Sequence, residues 1–140
     1  MPKFKGSKNY EHGSESCLGV LITNLGTPEA ATTSAVRKYL AEFLWDPRVV
    51  EIPRPIWWLI LNGIILRTRP SKSAEAYEKV WTDEGSPLLV IGKKQKQALQ
   101  AKLSQLCSGP VKVELAMRYG NPSIASALEN LKAQGARRVI

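Results

Sequence analysis

The sequence predicts an α/β fold: an open parallel sheet with flanking helices. Three observations predict it. Two short runs rich in apolar and β-branched residues, Leu18 to Asn24 and Val111 to Met117, are separated by long stretches of helical periodicity. Each of these runs leads into a glycine, a small polar residue and a proline, as Leu25-Gly26-Thr27-Pro28 and Tyr119-Gly120-Asn121-Pro122. A third run opens at Arg137-Arg138-Val139-Ile140 after one more helix. Parallel neighbours need helical crossovers, so this order argues for a parallel sheet rather than for hairpins.

The elements follow in order. The first strand is expected over 18–24. Beyond Pro28, Thr32 or Thr33 can cap a helix in which Val36, Tyr39, Leu40, Phe43 and Leu44 repeat at helical spacing, ending near Asp46-Pro47. The segment 55–66 is nearly all apolar, but a bilayer span needs about 20 such residues and Asn62-Gly63 interrupts it, so it is not a transmembrane helix. A helix from Ser71 to Trp81 places Ala74, Tyr77 and Trp81 on one side, and Thr82 to Pro87 breaks it. The next helix, 87–107, is expected to bury Ile91, Ala98, Leu99, the stem of Lys102, Leu103 and Leu106 and to turn Lys93, Lys94 and Lys96 outward. Gly109-Pro110 ends it, and the second strand covers 111–117. Ser123 caps a last helix carrying Ile124, Ala127, Leu128 and Leu131, with Gly135 as its stop signal. The third strand has no loop after it, so the chain is expected to be truncated, with residues 17–140 forming part of a first domain.

The 140 residues suffice for one hydrophobic core, and 44% apolar with 23% charged is ordinary for a globular domain. Twenty basic residues against 12 acidic give a formal charge of +8, which attracts nucleic acid, anionic lipid or a carboxylate-bearing ligand alike. Nucleic acid is disfavoured, because the lysines are spread over the amino terminus and the 93–102 helix without interleaved exposed aromatics. Residues 1–16 read as a flexible basic tail. They lack the apolar run and cleavage site of a secretory signal, so a cytoplasmic protein is expected. Cys17 and Cys107 have no metal-ligand spacing and read as reduced thiols.

Both proline turns fall at the carboxyl ends of parallel strands, where such sheets bind ligands. The first presents Asn24 and Leu25; it is neither a dinucleotide loop nor a phosphate cradle, and its spacing equally fits a strand-to-helix turn with no ligand. The second presents Arg118 and Tyr119, a fork-shaped cation and an aromatic plane that suit a flat anionic ring; the alternative is an arginine paired with a helix carboxylate and a tyrosine capping the core. Arg67, Arg69, Tyr77 and Ser86 make a loose polar set that also reads as a solvated face with a core tyrosine. No acid–base pair, nucleophile triad or metal cluster can be built, since the only histidine, His12, lies in the tail. The residues therefore offer a binding surface and no catalytic or metal-ligating group.

Taken in order, five segments resemble ferrochelatases of the bacterial, protoporphyrin-using type. They are Asn24-Leu25-Gly26-Thr27-Pro28; Val36-Arg37-Lys38-Tyr39-Leu40 with Phe43-Leu44 and Asp46-Pro47-Arg48-Val49-Val50; the apolar 55–66 leading into Arg67-Thr68-Arg69-Pro70; Tyr77 with Gly85-Ser86-Pro87-Leu88; and Met117-Arg118-Tyr119-Gly120-Asn121-Pro122. The resemblance runs from about residue 18 to the carboxyl terminus. It implies insertion of ferrous iron into protoporphyrin IX to form protohaem, in a cleft between two similar α/β domains, with iron and porphyrin as substrates and no tightly bound cofactor. It further implies that Asn24, Leu25, Tyr77, Ser86, Arg118 and Tyr119 line the porphyrin site. Leu25 stands where some relatives carry a tyrosine able to ligate the metal, and a leucine can only pack on the macrocycle. The histidine and glutamate that handle protons and metal are expected after residue 140, so the chain by itself is expected to be inactive. A non-catalytic porphyrin- or haem-binding module is the alternative. The 55–66 segment is expected to form a lip of the cleft that touches the inner face of a membrane, against the alternative of a buried core helix.

Overall fold

The computed structural model describes Gly13 and residues 17–140. The tail expected over 1–16, with His12, otherwise lies outside the described residues. Three parallel strands, β1 (Cys17–Gly26), β2 (Val111–Tyr119) and β3 (Ala136–Val139), lie in the order β2, β1, β3. The expected α/β class and parallel sheet are therefore observed. Between β1 and β2 run α1 (Thr33–Trp45), α2 (Arg54–Ile60), a π-helical turn (Leu61–Ile65), α3 (Leu66–Glu78) and α4 (Pro87–Leu106); α5 (Ile124–Ala133) joins β2 to β3.

The first crossover steps from β1 to β2, and the second steps back the other way, from β2 past β1 to β3. Right-handed connections then place α5 on the opposite face of the sheet from the helices of the first crossover. The strand order thus reverses at β1, whose carboxyl end sits at a topological switch point. Buried residues appear on both sides of β2, with Val113, Leu115 and Met117 on one side and Ala116 on the other. Ala127 and Leu131 are the buried stripe of α5.

Thr32 caps α1 by accepting a hydrogen bond from the Ala35 N–H, and Ser123 caps α5 through the Ser126 N–H, as short polar side chains do at helix starts. Both strands run past their expected ends, to Gly26 and Tyr119, because the two chains stay in register there: Asn24 opposite Met117 and Gly26 opposite Tyr119.

Two expectations need correction. The helix expected from Ser71 begins at Leu66 and continues the helical path from α2 through the π-turn. Pro70 lies within it, lacking the N–H that would reach the Leu66 carbonyl, and Leu66 itself has ψ −5° where the path changes pitch. Side chains satisfy carbonyls around the irregular turn: Asn62 Nδ2 donates to Trp58 O at 3.0 Å and Thr68 Oγ1 to Ile64 O at 2.9 Å. In α4 the expected buried face is rotated. Ile91, Ala98 and Leu106 are exposed, whereas Gly92 is buried and sits where an added Cβ would meet Leu115 Cδ2 at 3.0 Å. Lys96, expected outward, pairs with Glu114 of β2 at 2.7 Å, and the Gln100 amide bridges Val111 O at 2.9 Å and Val113 N at 2.8 Å. A glycine and two polar side chains that hydrogen-bond to the strand set this face, and an apolar count does not see them.

The 55–66 segment is two-sided, and the fully buried core helix that was one of its readings holds for its inner side alone. Trp57, Leu61 and Leu66 form a core cluster against Leu40, Ala41 and Leu44, and Trp57 Nε1 donates to Leu44 O at 2.8 Å. Ile56, Trp58, Leu59 and Ile64 face outward, Trp58 being 54% exposed against 6% for Trp57. No helix among the described residues is long and apolar enough to cross a membrane.

Candidate functional site at the strand ends

At the carboxyl end of β1, Leu25 is 52% exposed and the Asn24 Oδ1 turns back to accept the Leu25 N–H at 2.8 Å. Leu25 is thus an apolar side chain displayed at the carboxyl end of a parallel strand, the edge at which such sheets bind ligands. Gly26 then leaves the strand at φ +126°, a region that side chains avoid, and its backbone lies directly against Tyr119. A Cβ here would overlap the Tyr119 carbonyl oxygen and stand 2.9 Å from its carbon. Glycine is therefore required on two counts. The turns of β1 and β2 consequently form one continuous ledge.

That ledge is fastened from beneath. The Tyr39 hydroxyl donates to Gly26 O at 3.2 Å, and the Thr27 hydroxyl donates to the Ser86 hydroxyl at 2.7 Å, with both Thr27 and Ser86 buried. Ser86 stands at the amino end of α4, so this bond ties the first turn to that helix across the fold. Burial, followed by neighbouring Tyr77, Tyr119 and Glu42, pushes the Tyr39 hydroxyl up to about 12, which keeps it a donor at any ordinary pH. Tyr77 is half-buried, raised by burial, and set edge-on to Trp81 with centroids 6.2 Å apart. It walls a shallow apolar hollow with Ala76 and Val80.

The second turn is held by three carboxylates. Asp46, at the end of α1, accepts Arg118 Nη2 at 2.7 Å and the Tyr119 hydroxyl at 3.1 Å on its Oδ2, and the Arg48 N–H at 2.9 Å on its Oδ1. Glu42 accepts the Gly120 N–H at 3.0 Å, and Glu29 accepts the Asn121 amide at 2.6 Å. The Arg48 N–H, then the Tyr119 hydroxyl and the Arg48 and Arg118 charges, hold the Asp46 carboxyl below its usual range against the opposing effect of desolvation. Glu29 is lowered by Asn121 and then by Lys38, 3.5 Å away. A cleft of about 260 Å³ lies between these turns and α1, bordered by Thr27, Glu29, Lys38 and Glu42.

Of the residues expected at the site, Leu25 is exposed at the switch point, Asn24 beside it is half-buried, and Arg118 is exposed on the adjoining strand. Tyr119 is buried, packed edge-on to Phe43 with centroids 5.1 Å apart, and Ser86 is buried beneath Thr27. Neither ring nor hydroxyl offers an open face, so these two support the ledge from behind, and Arg118 carries the ion pair with a helix-end carboxylate that was its alternative reading. Arg67 and Arg69 are exposed on α3. Sequence reasoning missed Thr27, Tyr39, Glu42 and Asp46. Tyr39 and Asp46 read as helix core and helix terminator; only the three-dimensional approach of α1 to the two turns gives them partners, Gly26 O of the first for Tyr39 and Arg118 with Tyr119 of the second for Asp46. No group of three metal-ligating side chains occurs among the described residues.

The family model for ferrochelatase matches residues 17–140. The chain is 64% identical over 138 residues to the ferrochelatase of Thioalkalivibrio sulfidiphilus, covering 99% of this chain and 37% of that protein. It is 58% identical to the ferrochelatase of Marinobacter nauticus, over 98% of this chain and 37% of the relative, and 53% identical to that of Idiomarina loihiensis, over 99% and 38%. It therefore spans well under half the length of these curated relatives. A family model that matches residues 17–140, with relatives more than half identical over nearly the whole chain, leaves one conclusion: the chain belongs to the ferrochelatase family.

Proposed function

We propose that this segment is the porphyrin-holding part of an enzyme that inserts ferrous iron into protoporphyrin IX, forming protohaem. The observation that carries the reading is the ledge at the switch point, with Leu25 exposed, Asn24 half-buried beside it and the second turn locked against the first. Leu25 packs on the macrocycle and cannot ligate iron. Asn24 has its oxygen engaged by the Leu25 N–H, which leaves its amide N–H groups as the donors it can offer a ligand. Tyr77 borders the cleft through its apolar hollow, Arg118 faces the rim, and Ser86 and Tyr119 act from behind by fixing the two turns.

Metallation replaces two pyrrole protons by one divalent iron, so a rigid wall that keeps the ring from lying flat helps by turning a pyrrole lone pair toward the metal. A ledge with glycine-tight turns supplies such a wall. The groups that accept the two protons are sought in the part of the relatives' length that this chain does not span. The test is titration of protoporphyrin IX into the full-length protein, followed by Soret absorbance, together with ferrous iron insertion. Replacing Leu25 by Asp should weaken protoporphyrin binding by about tenfold or more, since it places a carboxylate against an apolar ring. Equal affinity for both proteins would remove Leu25 from the site.

A second contact is favoured by the outward apolar row Ile56, Trp58, Leu59 and Ile64 on the α2 and π-turn surface, flanked by exposed Arg67 and Arg69. It suits peripheral attachment to an anionic lipid surface on the cytoplasmic side. Trp58→Glu should lower sedimentation with vesicles containing phosphatidylglycerol and leave unfolding unchanged; unaltered sedimentation would reject the contact.

A further inference from the structure

The geometry points to Asp46 as a positioning residue for the porphyrin site, one that neutralises Arg118 and sets the Arg118-Tyr119 turn, so that Arg118 serves the site as one half of a fixed ion pair and not as a free cation for a propionate. This inference rests on the porphyrin reading above and says how that site is built.

Asp46 is the carboxyl-terminal cap of α1 and its side chain is only 9% exposed. Its Oδ2 receives two donors from adjacent residues of β2, the Arg118 guanidinium and the Tyr119 hydroxyl, while its Oδ1 is taken by Arg48. A charge-assisted pair whose acceptor oxygen is shared by two neighbouring donors fixes orientation as well as charge. The guanidinium also lies over the ring of Tyr119, 5.3 Å from its centroid. It is therefore held on one side by a carboxylate and on the other by its own neighbour's ring. One turn earlier on α1, Glu42 takes the Gly120 N–H, so successive turns of one helix hold three consecutive residues of the loop. Gly120 in turn lies close enough to Thr27 that a Cβ on it would stand 3.1 Å from the Thr27 carbonyl oxygen. Displacing the second turn therefore presses on the first, which carries Leu25.

The two roles of Arg118 predict opposite signs. If the guanidinium waits for a propionate, Asp46 competes with the ligand, and Asp46→Asn should tighten porphyrin binding. If Asp46 and Arg118 work as a unit, Asp46→Asn and Arg118→Ala should each weaken it, and the double variant should be no worse than the weaker single one. The experiment is protoporphyrin IX titration with the full-length protein for the wild type, both single variants and the double variant, with KM and kcat for iron insertion and the melting temperature recorded alongside. We expect each single change to raise the dissociation constant and KM about five- to tenfold with a smaller effect on kcat, no further loss in the double variant, and partial recovery in Asp46→Glu. Tighter binding in Asp46→Asn, or additive losses, would overturn the inference, as would a lowered melting temperature with unchanged affinity. Should Asp46→Asn not fold, Arg118→Lys takes its place: it keeps the charge and loses the fork, so wild-type affinity there overturns the inference and weakened affinity supports it. A wild-type protein that takes up no protoporphyrin fails the porphyrin reading itself, before any variant is compared, and this inference falls with it.

Discussion

Replacing Gly26 by alanine separates the two reasons for which glycine stands in the first turn. The residue has φ +126°, and an added Cβ would overlap the Tyr119 carbonyl oxygen and stand 3.2 Å from the Tyr119 nitrogen. Strained backbone of this kind costs about 1–3 kcal/mol, and overpacking against a neighbour that cannot swing away costs a further 1–3 kcal/mol or so, giving about 2–6 kcal/mol if the two are independent. Two other glycines serve as controls. Gly85 has φ +114° and nothing within 4 Å of its Cβ position, so Gly85→Ala should show the backbone cost alone, about 1–3 kcal/mol. Gly63, in the π-turn, has neither constraint, and Gly63→Ala should be neutral or stabilise by up to about 1 kcal/mol through the unfolded chain. Denaturant unfolding of the full-length protein, read as the midpoint with a common slope, ranks the three. The surviving folded fraction of Gly26→Ala should also bind protoporphyrin more weakly, because the turn carrying Leu25 is pushed away from Tyr119. A Gly26→Ala midpoint no lower than that of Gly85→Ala would refute the close contact of the two turns, and with it the continuous ledge.

Thr27→Val removes the donor to Ser86 and leaves a buried hydroxyl oxygen without its partner, which should cost about 1–3 kcal/mol in denaturant unfolding; Thr27→Ser should restore most of it. Trp57→Ala should destabilise by about 3–5 kcal/mol as a core truncation that also orphans Leu44 O, in contrast to the surface position Trp58. Tyr39 is raised in the folded protein, so the folded state favours its neutral form: this contribution is fully present below the unfolded value near 10 and is lost as pH rises toward about 12. Tyr39→Phe should therefore flatten the alkaline loss of stability across that window while lowering stability at neutral pH by about 0.5–1.5 kcal/mol through the missing bond to Gly26 O. An unchanged alkaline slope would show that Tyr39 ionises as freely in the fold as outside it.

The fold was legible where one signal dominated. Alternation in Val111 to Met117, the caps at Thr32 and Ser123, and the turn glycines each rest on a short-range physical cause, and each is present, with β2 running on to Tyr119 and Thr32 capping α1 where Thr32 or Thr33 was expected. It was illegible where polar atoms set the packing. The seated face of α4 is defined by Gly92, Lys96 and Gln100, and nothing in apolar periodicity distinguishes a lysine that reaches a strand carboxylate from one that faces water. The 55–66 segment misled for a related reason. Its uniform apolarity hid a two-sided helix whose inner side is chosen by the Trp57 indole reaching Leu44 O and whose outer side is as greasy as the inner.

The candidate site shows the same division, and it bears on where the ligand's charge is met. Both turns could be placed at the strand ends from sequence, since their glycines and prolines are local signals. The charge state of the ledge could not, because it depends on pairs far apart in the chain: Arg118 with Asp46 is separated by 72 positions and Asn121 with Glu29 by 92. The first pair cancels two charges that look free in the sequence; the second engages the Glu29 carboxylate without neutralising it, and Lys38 is what opposes that charge. An overall charge of +8 therefore says little about the ledge, which is nearly neutral. Arg67 and Arg69, exposed on α3 and in no ion pair among the described residues, remain as cations able to meet a carboxylate-bearing ligand at low desolvation cost. If Asp46 does hold Arg118 in reserve for shape, the salt dependence of protoporphyrin affinity should follow Arg67 and Arg69: neutralising that pair should flatten it, and Arg118→Ala should leave its slope intact while shifting its level. A slope that collapsed in Arg118→Ala would return the propionate contact to Arg118.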